Sequence, residues 1–510
     1  MKAVRDAARA ATIVWTLLRH RVPGALYRDV VRTHLSNPHC ACEADAEMTA
    51  RARRMRHALE RLGPAFIKLG QFLSRRPDLV PGPYLDELSG LQERTPPVRY
   101  EAARATLESV CICPSGHADQ EDRGGGRGHG HDPVSACLHC RGVEGVFDRF
   151  DPEPVASASL AQVHRAVYRG RPVAVKFLKP GVLDLLNRDL ALLRRLRWVT
   201  GRLLGLGRNM DPGELMEEFA RRLREEVDLE HEALNIERFR DGHPDEGEVR
   251  APRVFWEFRR ADVLVMAFAE GRSLRTWRGA PEERKRLAER LCRDFVEQVF
   301  VENLFHADPH PGNLVVEVDG RITFLDFGTV GRLDRKARKG LLRLLRAILE
   351  DDAELAASAV LAMGRTDPAA VDRPQLVADV DRIIQLYRRR AGVRWTDEVV
   401  AVARRHRIRL PRSILLYAKA TVLSESLVTE LDPEFEVLPV LTAALGPVLR
   451  REVEDRLTEL RRTLPELMAT YAELARRLPP LIGRFLEDGG DGAGANDRAG
   501  AHARLRERRR

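Results

Sequence analysis

The chain has 510 residues, of which 44% are hydrophobic and 32% are charged. This share of apolar side chains is sufficient for a large core and excludes a wholly disordered protein. The formal net charge of +9 allows an anionic partner. Residues 1–59 alone hold 11 basic against 5 acidic residues, and the remaining 451 residues carry only +3, which argues against a nucleic-acid surface along the whole chain.

Hydrophobic periodicity and turn residues divide the chain into seven segments. In chain order these are a basic helical N-terminus (1–46), a helical extension (47–110), a Gly-, Cys- and His-rich insertion (111–145), a strand-rich lobe (146–268), a mainly helical lobe (269–440), C-terminal amphipathic helices (441–487) and a disordered tail (488–510). This order predicts an α+β protein with the two-lobed fold of protein kinases, an N-terminal helical extension and C-terminal helices.

Cysteine content and apolar segments bear on the location of the protein. Seven cysteines, an odd number, without a recognisable signal peptide indicate a reducing compartment. No window of 18 apolar residues occurs, so we expect no transmembrane helix. We therefore expect a cytoplasmic protein whose basic N-terminus allows peripheral binding to the anionic inner face of the cell membrane.

The insertion contains two pairs of closely spaced cysteines. Cys111 and Cys113 form one pair, and Cys137 and Cys140 form the other. Four thiolates can bind a structural Zn²⁺, although this spacing is not that of a standard zinc finger. The alternative is a reduced loop that binds no metal.

Lysine is rare in this chain, since only 8 of the 85 basic residues are Lys and the other 77 are Arg. Arg can serve wherever only charge is required, so each Lys is a candidate for a more specific role. Lys176 ends the apolar run Val173–Lys176, which predicts a cation at the rim of a sheet that could hold nucleotide phosphates. A solvated strand end is the other interpretation.

Two further motifs follow in the helical lobe. Asp308 and Asn313 are five residues apart in a Pro- and Gly-containing loop, and Asp326 precedes Phe327 and Gly328. Kinase chemistry requires an Asp at the attacking oxygen and an amide and a carboxylate oxygen on Mg²⁺. A strand, turn and strand between these motifs predict a hairpin that brings both Asp side chains to one site.

With these motifs in this order, the sequence resembles the UbiB family, also called AarF or ADCK, of atypical kinase-like proteins. The resemblance covers roughly residues 50–430. Lys68 and Gln71 match the family's Lys-x-Gly-Gln motif, and Glu226 opens its Glu-x-Asp motif. The family's Ala-rich loop, which replaces a Gly-rich loop, corresponds to Val155, Ala156, Ser157, Ala158, Ser159, Leu160, Ala161, Gln162 and Val163.

The resemblance implies binding of ATP and Mg²⁺ and an ATPase or atypical kinase activity. Lys176 would hold the α- and β-phosphates and Glu226 would orient it, while Asn313 and Asp326 would bind Mg²⁺. Asp308 would position or deprotonate the nucleophile. Lys68 and Gln71 would close the site, and the Ala-rich loop would cover the nucleotide with the hydroxyls of its serines as donors.

The family also implies a role in the biosynthesis of isoprenoid quinones such as ubiquinone. The expected partners are a lipid or quinone precursor and quinone-synthesis enzymes. Two alternatives stay open: a small-molecule phosphotransferase with the same loop motif, and a non-catalytic, ATP-dependent scaffold. A conventionally regulated protein kinase is disfavoured because Thr329 is the only hydroxyl residue between Gly328 and Ser358.

The C-terminal segment carries an apolar stripe at alternating steps of four and three, which is typical of an amphipathic helix. Its members are Val453, Leu457, Leu460, Leu464, Leu467, Tyr471, Leu474 and Leu478. Packing on the kinase-like core, the seam of a homodimer and membrane binding are the three interpretations.

Overall fold

The computed structural model describes most of the chain. The described residues are 2–22, 29, 42–74, 79–91, 96–110, 141–195, 212–258, 260–389, 395–437, 439–448, 450, 454, 458, 465 and 468. They belong to two compact units, residues 1–436 and 437–510. The four cysteines of the predicted zinc site, the eight residues of the C-terminal stripe and the predicted tail lie outside the described residues.

Helices make up most of the first unit. They are α1 (Lys2–Arg19), α2 (Cys42–Leu62), α3 (Pro64–Ser74), α4 (Gly82–Ser89), α5 (Tyr100–Val110), α6 (Val143–Val146), α7 (Val182–Arg195), α8 (Pro212–Glu226), α9 (Leu229–Gly242), α10 (Pro281–Glu297), α11 (Arg335–Glu350), α12 (Ala353–Met363), α13 (Arg373–Arg389), α14 (Trp395–Arg405) and α15 (Arg412–Leu431). None of the described helices is long and apolar enough to cross a membrane.

The described strands form two four-stranded sheets and one two-stranded sheet. They are β1 (Arg149–Ser157), β2 (Ala161–Tyr168), β3 (Arg171–Leu178), β4 (Val249–Arg250), β5 (Val263–Ala267), β6 (Gly271–Ser273), β7 (Phe305–His306), β8 (Leu314–Glu317), β9 (Ile322–Phe324) and β10 (Val330–Gly331). The sheet orders are β1-β2-β3-β5, β4-β9-β8-β6 and β10-β7. This architecture confirms the predicted α+β fold class.

The first sheet is antiparallel, and one of its faces covers an aromatic core. Alternate residues of β3, including Val175 and Phe177, are fully buried in that core. Phe147 stacks on Phe258 with ring centroids 5.5 Å apart, and Tyr168 meets the same ring edge-on at 4.9 Å. Because side chains alternate along a strand, Lys176 is directed to the opposite face, away from this core.

The hairpin predicted between the two Asp motifs is present. Strands β8 and β9 pair with Leu314 opposite Phe324. Gly320 closes the turn with φ +82°, a conformation that glycine adopts without steric cost. The register places Asn313 and the residues after Phe324 at the same end of the hairpin.

The N-terminal helices pack tightly on one another and on α7. A Cβ atom on Gly70 would lie 2.2 Å from a methyl carbon of Leu91 and 2.8 Å from one of Leu59, so a larger residue where α3 crosses its neighbours would require these leucines to move. Arg9 of α1 makes two hydrogen bonds of 2.7 Å to the carboxylate of Asp189, which is fully buried on α7. Such a bidentate pair fixes orientation as well as position.

A buried polar cluster joins the end of α9 to α10 and to the π-helical turn Gln298–Glu302. Nε2 of His243 lies 2.8 Å from Oδ1 of Asp294, and its Nδ1 lies 3.3 Å from Oε2 of Glu302. The pKa of Glu302 is raised to about 7, chiefly by burial. Asp294 and Glu297 contribute to this rise, and His243 opposes it.

The raised pKa of Glu302 makes the stability of the protein depend on pH. The folded carboxyl keeps a proton that the unfolded chain releases, so stabilisation present below pH 4.5 is lost as the pH rises to about 7. We expect Glu302→Gln to lose less stability than the wild type between about pH 5 and about pH 8, measured by urea unfolding. The exposed Glu282→Gln on α10 is the control, and equal pH dependence in all three proteins would contradict the assignment.

Candidate functional site

Lys176 lies between two carboxylates on the face of the first sheet that is opposite its aromatic core. Its Nζ is 2.7 and 2.8 Å from the two oxygens of Glu232 and 3.5 Å from Oδ1 of Asp326. Burial opposes the charged ammonium, but Asp326 and Glu232 raise the pKa of Lys176 above its usual value. The lysine is therefore charged and has a fixed position, as a phosphate-binding cation requires.

The partner of Lys176 is Glu232 and not Glu226, the residue predicted from the sequence. Glu226 is the last residue of α8, and the chain turns before α9 begins. Asp228 caps α9 by accepting a hydrogen bond of 3.0 Å from His231 N–H. This cap starts the helix so that Glu232, one turn further on, reaches Lys176.

Glu226 instead pairs with the other predicted lysine. Lys68 of α3 donates a hydrogen bond to Oε1 of Glu226. The lysine is almost buried, and its charge helps to lower the pKa of Asp326. Gln71, from the same motif, donates to the carbonyl of Leu91 at 3.2 Å, so it holds α3 to the segment after α4. Lys68 thus contributes positive charge to the site, whereas Gln71 makes a structural hydrogen bond to the backbone.

The loop aligned with the family's Ala-rich loop is the tight turn of the β1–β2 hairpin. Ala158 N–H donates to the carbonyl of Ala161 across the turn at 2.9 Å. Ser159 is only 3% exposed, and its hydroxyl has no hydrogen-bond partner among the described residues. A buried hydroxyl in that state is costly unless a ligand satisfies it.

The other positions of this loop differ in exposure. Val155 and Ala156 are exposed, Ser157, Ala158 and Val163 are partly buried, and Leu160, Ala161 and Gln162 are buried. The side chain of Gln162 makes hydrogen bonds of 2.8 and 3.3 Å with the backbone of Val98. Gln162 therefore fixes the segment before α5, a different task from the nucleotide contact predicted for it.

The loop after β7 holds Asp308 and Asn313 in place through its own hydrogen bonds. His306 donates from Nε2 to the carbonyls of Leu325 and Asp326, and its Nδ1 accepts from Asp308 N–H at 3.2 Å. Carbonyls only accept, so the proton lies on Nε2. Full burial lowers the pKa of His306, which keeps the ring neutral, as these contacts require. The amide of Asn313 donates to the carbonyl of Asp308 at 3.3 Å.

Asp326 follows β9 in a left-handed conformation with φ +57°. Such a backbone is unusual for a residue other than glycine and is often found at functional sites. The charge of Lys176 lowers the pKa of Asp326 to about 2 against the effect of burial. The carboxylate is thus ionised at neutral pH and suited to bind a cation.

The donor set fits Mg²⁺. Leu325 N–H donates to the carbonyl of Asn313 at 2.7 Å, which brings Asn313 next to Asp326. A carboxylate and an amide oxygen are hard ligands of the kind Mg²⁺ uses, with phosphate oxygens and water completing its shell. The part of the chain that the structure describes contains no group of three or more His, Cys, Asp or Glu arranged for a metal.

Three further residues complete the site and were not identified from the sequence. Asn235 donates to the carbonyl of Phe327 at 3.0 Å, so α9 holds both Lys176 and the loop after β9. His306 links the loop that carries Asp308 to the backbone of Leu325 and Asp326. Lys419 of α15 donates to Oδ1 of Asp308 at 2.7 Å. The scarcity of lysine was the one sequence signal for Lys419, since three of the eight Lys lie in this site.

The assignment of Glu232 can be tested by double-mutant cycles of unfolding free energy. Lys176→Met and Glu232→Gln should couple strongly, because removing one partner leaves a buried charge, at a cost of about 3–5 kcal/mol for such pairs. Lys176→Met and Glu226→Gln should couple more weakly. Glu225→Gln, which removes an exposed carboxylate paired with Arg412, is the control for loss of a surface charge. Equal coupling of Lys176 to Glu226 and to Glu232 would refute the assignment.

Comparison with known proteins identifies a matching family model and similar chains. Residues 137–360 match the family model described as the ABC1 atypical kinase-like domain. The chain is 34% identical over 323 residues to "Protein ACTIVITY OF BC1 COMPLEX KINASE 8, chloroplastic" of Arabidopsis thaliana, a match that covers 61% of this chain and 38% of that protein. The chain therefore spans well under half the length of this plant relative.

A second relative and a solved structure are also similar. The chain is 30% identical over 380 residues to "Uncharacterized protein slr0889" of a Synechocystis strain, which covers 71% of this chain and 86% of that protein. The solved complex of Rv3197 with erythromycin from Mycobacterium tuberculosis is 22% identical, with a TM-score of 0.44 over 76% of this chain and 94% of that one. From the family model and the extent of the Synechocystis match, we conclude that the chain belongs to the ABC1 atypical kinase-like family, also called UbiB.

Proposed function

We propose that this protein binds ATP with Mg²⁺ and transfers the γ-phosphoryl group to an acceptor or to water. The observation that carries the proposal is the position of Lys176 between Glu232 and Asp326. A buried ammonium fixed by one carboxylate beside a second, strongly acidic one is the arrangement that phosphoryl transfer uses to hold phosphates next to a metal ion.

Each residue of the site would have a distinct role in this reaction. Lys176 would hold the α- and β-phosphates, and Glu232 would keep its ammonium charged and in position. Asn313 and Asp326 would bind Mg²⁺, which supplies charge neutralisation at the phosphate oxygens. Asp308 would accept a hydrogen bond from the attacking hydroxyl or water and take its proton.

The wider role that we propose is support of isoprenoid quinone biosynthesis at a membrane surface. The family membership supports a kinase-like protein, and the quinone role rests on the resemblance to UbiB proteins. On α1, Val14, Trp15 and Leu18 are 48, 54 and 60% exposed, and Arg19 lies over the Trp15 ring at 5.0 Å. Exposed apolar side chains next to basic ones are typical of helices that lie on anionic lipid. Peripheral binding through α1 would bring the site near a lipid precursor.

The hydroxyl of Ser159 provides a test of nucleotide binding. Because it has no partner among the described residues, Ser159→Ala removes an unsatisfied buried hydroxyl and should not lower the unfolding free energy of the protein. If the hydroxyl donates to a phosphate, the same variant should bind ATP–Mg about tenfold more weakly. Titration calorimetry measures the affinity, with the exposed Ser109→Ala as control. Unchanged affinity would remove Ser159 from the site.

Hydrolysis of ATP tests the catalytic assignment. We expect Asp308→Asn to retain ATP–Mg binding and to lose turnover by about 100-fold or more, because it cannot take the proton of the nucleophile. Asp319→Asn, in the turn at the far end of the hairpin, is the matched control. Assays should be run with and without anionic liposomes and a phenolic quinone precursor. Equal hydrolysis by wild type and Asp308→Asn would refute the assignment, whereas binding without hydrolysis by the wild type would favour the scaffold.

A further inference from the structure

We propose that Lys419 is a catalytic residue that binds the γ-phosphoryl group during transfer. This inference rests on the proposed function and extends it to a residue outside the family motifs described above. The starting observation is the hydrogen bond of 2.7 Å from Nζ of Lys419 to Oδ1 of Asp308, the carboxylate at the predicted point of attack. The two side chains are 23 and 30% exposed, so the pair is accessible to a ligand from the site.

The loop that carries Asp308 contains no cation of its own. From His306 to Asn313 its sequence has neither Lys nor Arg. Lys176 is occupied by Glu232 and Asp326 at the other side of the site. The charge that develops on the equatorial oxygens of the γ-phosphoryl group needs a cation close to the nucleophile, and Lys419 is positioned there.

The position of Lys419 is fixed by its helix. Tyr417, two residues earlier on α15, is buried and packs edge-on against Phe305 with centroids 6.2 Å apart. The same ring stacks on Phe295 of α10. Phe305 immediately precedes His306 in β7, so α15 is anchored to the strand that leads into the catalytic loop. An ammonium held in this way is preorganised and loses little freedom when a phosphate binds.

The chemistry of transfer would strengthen the contact of Lys419 with phosphate. As the acceptor oxygen bonds to the γ-phosphorus, the bond to the β–γ bridging oxygen breaks and ADP leaves with its electron pair. The acceptor proton passes to Asp308, whose negative charge is thereby neutralised. The attraction between Asp308 and Lys419 then weakens while Lys419 keeps its own proton, and the N–H group that pointed to Asp308 can turn to the transferred phosphoryl. An interaction that strengthens towards the transition state raises kcat.

The test compares Lys419→Met and Lys419→Arg with Lys285→Met, which removes an exposed lysine from α10. We expect Lys419→Met to lower kcat by about 100-fold and to weaken binding of a non-hydrolysable ATP–Mg analogue. It should leave the Kd for ADP–Mg within about twofold, because ADP has no γ-phosphate. Lys419→Arg should recover part of kcat, and the control should behave as the wild type.

Each other outcome is decisive. If Lys419→Met keeps both kcat and the preference for the ATP analogue over ADP, the inference is wrong while the proposed function stands. If it weakens both nucleotides equally and lowers the unfolding midpoint, the lysine is merely structural. A wild type that binds nucleotide but neither hydrolyses ATP nor transfers its phosphoryl group, with liposomes and the phenolic precursor present, refutes the proposed catalysis. The ratio of ATP-analogue to ADP affinity then decides whether Lys419 contacts the γ-phosphate. A wild type that binds neither nucleotide refutes both proposals.

Discussion

The ammonium of Lys176 is the constraint on which the rest of the site depends. A buried charge is tolerated only with a well-placed counter-charge, so β3 and α9 must keep Glu232 within 2.7–2.8 Å of it. That requirement explains the cap at Asp228, which sets where α9 begins. It also explains why α9 reaches the loop after β9 through Asn235. One ion pair thus fixes the sheet, the helix and the carboxylate of Asp326 relative to one another.

Aromatic packing and a chain of hydrogen bonds join α9 to the loop after β7, which carries Asp308. His306, Phe327, Phe239 and His243 form a continuous column of rings, with successive centroids 5.1, 4.9 and 3.9 Å apart. The ends of this column are also linked by hydrogen bonds through Asp294 and Gln298, because Gln298 Oε1 accepts from His306 N–H at 2.9 Å. Two independent paths of contacts therefore join α9 to the loop after β7.

The parts of the site that the sequence predicted are those built by local structure. Asp308, Asn313 and Asp326 belong to one loop and hairpin, and turn chemistry is enough to bring them together. The partner of Lys176 was missed because the acidic run from Glu225 to Glu232 has the composition of a single helix. Because the chain breaks between α8 and α9, Glu226 pairs with Lys68 and Glu232 pairs with Lys176. Lys419 was missed because its contact joins residues 111 positions apart, and no local pattern encodes a tertiary pairing of that kind.

The charge balance of the site bears on the proposed role of a metal ion. Three lysines, 68, 176 and 419, face four carboxylates: Glu226, Glu232, Asp308 and Asp326. The cations are thus already matched by acidic partners before a triphosphate adds several more negative charges. Bringing ATP alone into this site would leave negative charge uncompensated, which is unfavourable. A divalent cation entering with the nucleotide would reduce that excess of negative charge, and it would also help Lys68 and Lys419 to exchange a carboxylate for a phosphate oxygen. The proposed use of Mg²⁺ is therefore supported by the charge balance of the whole site as well as by the two ligands that would bind the ion.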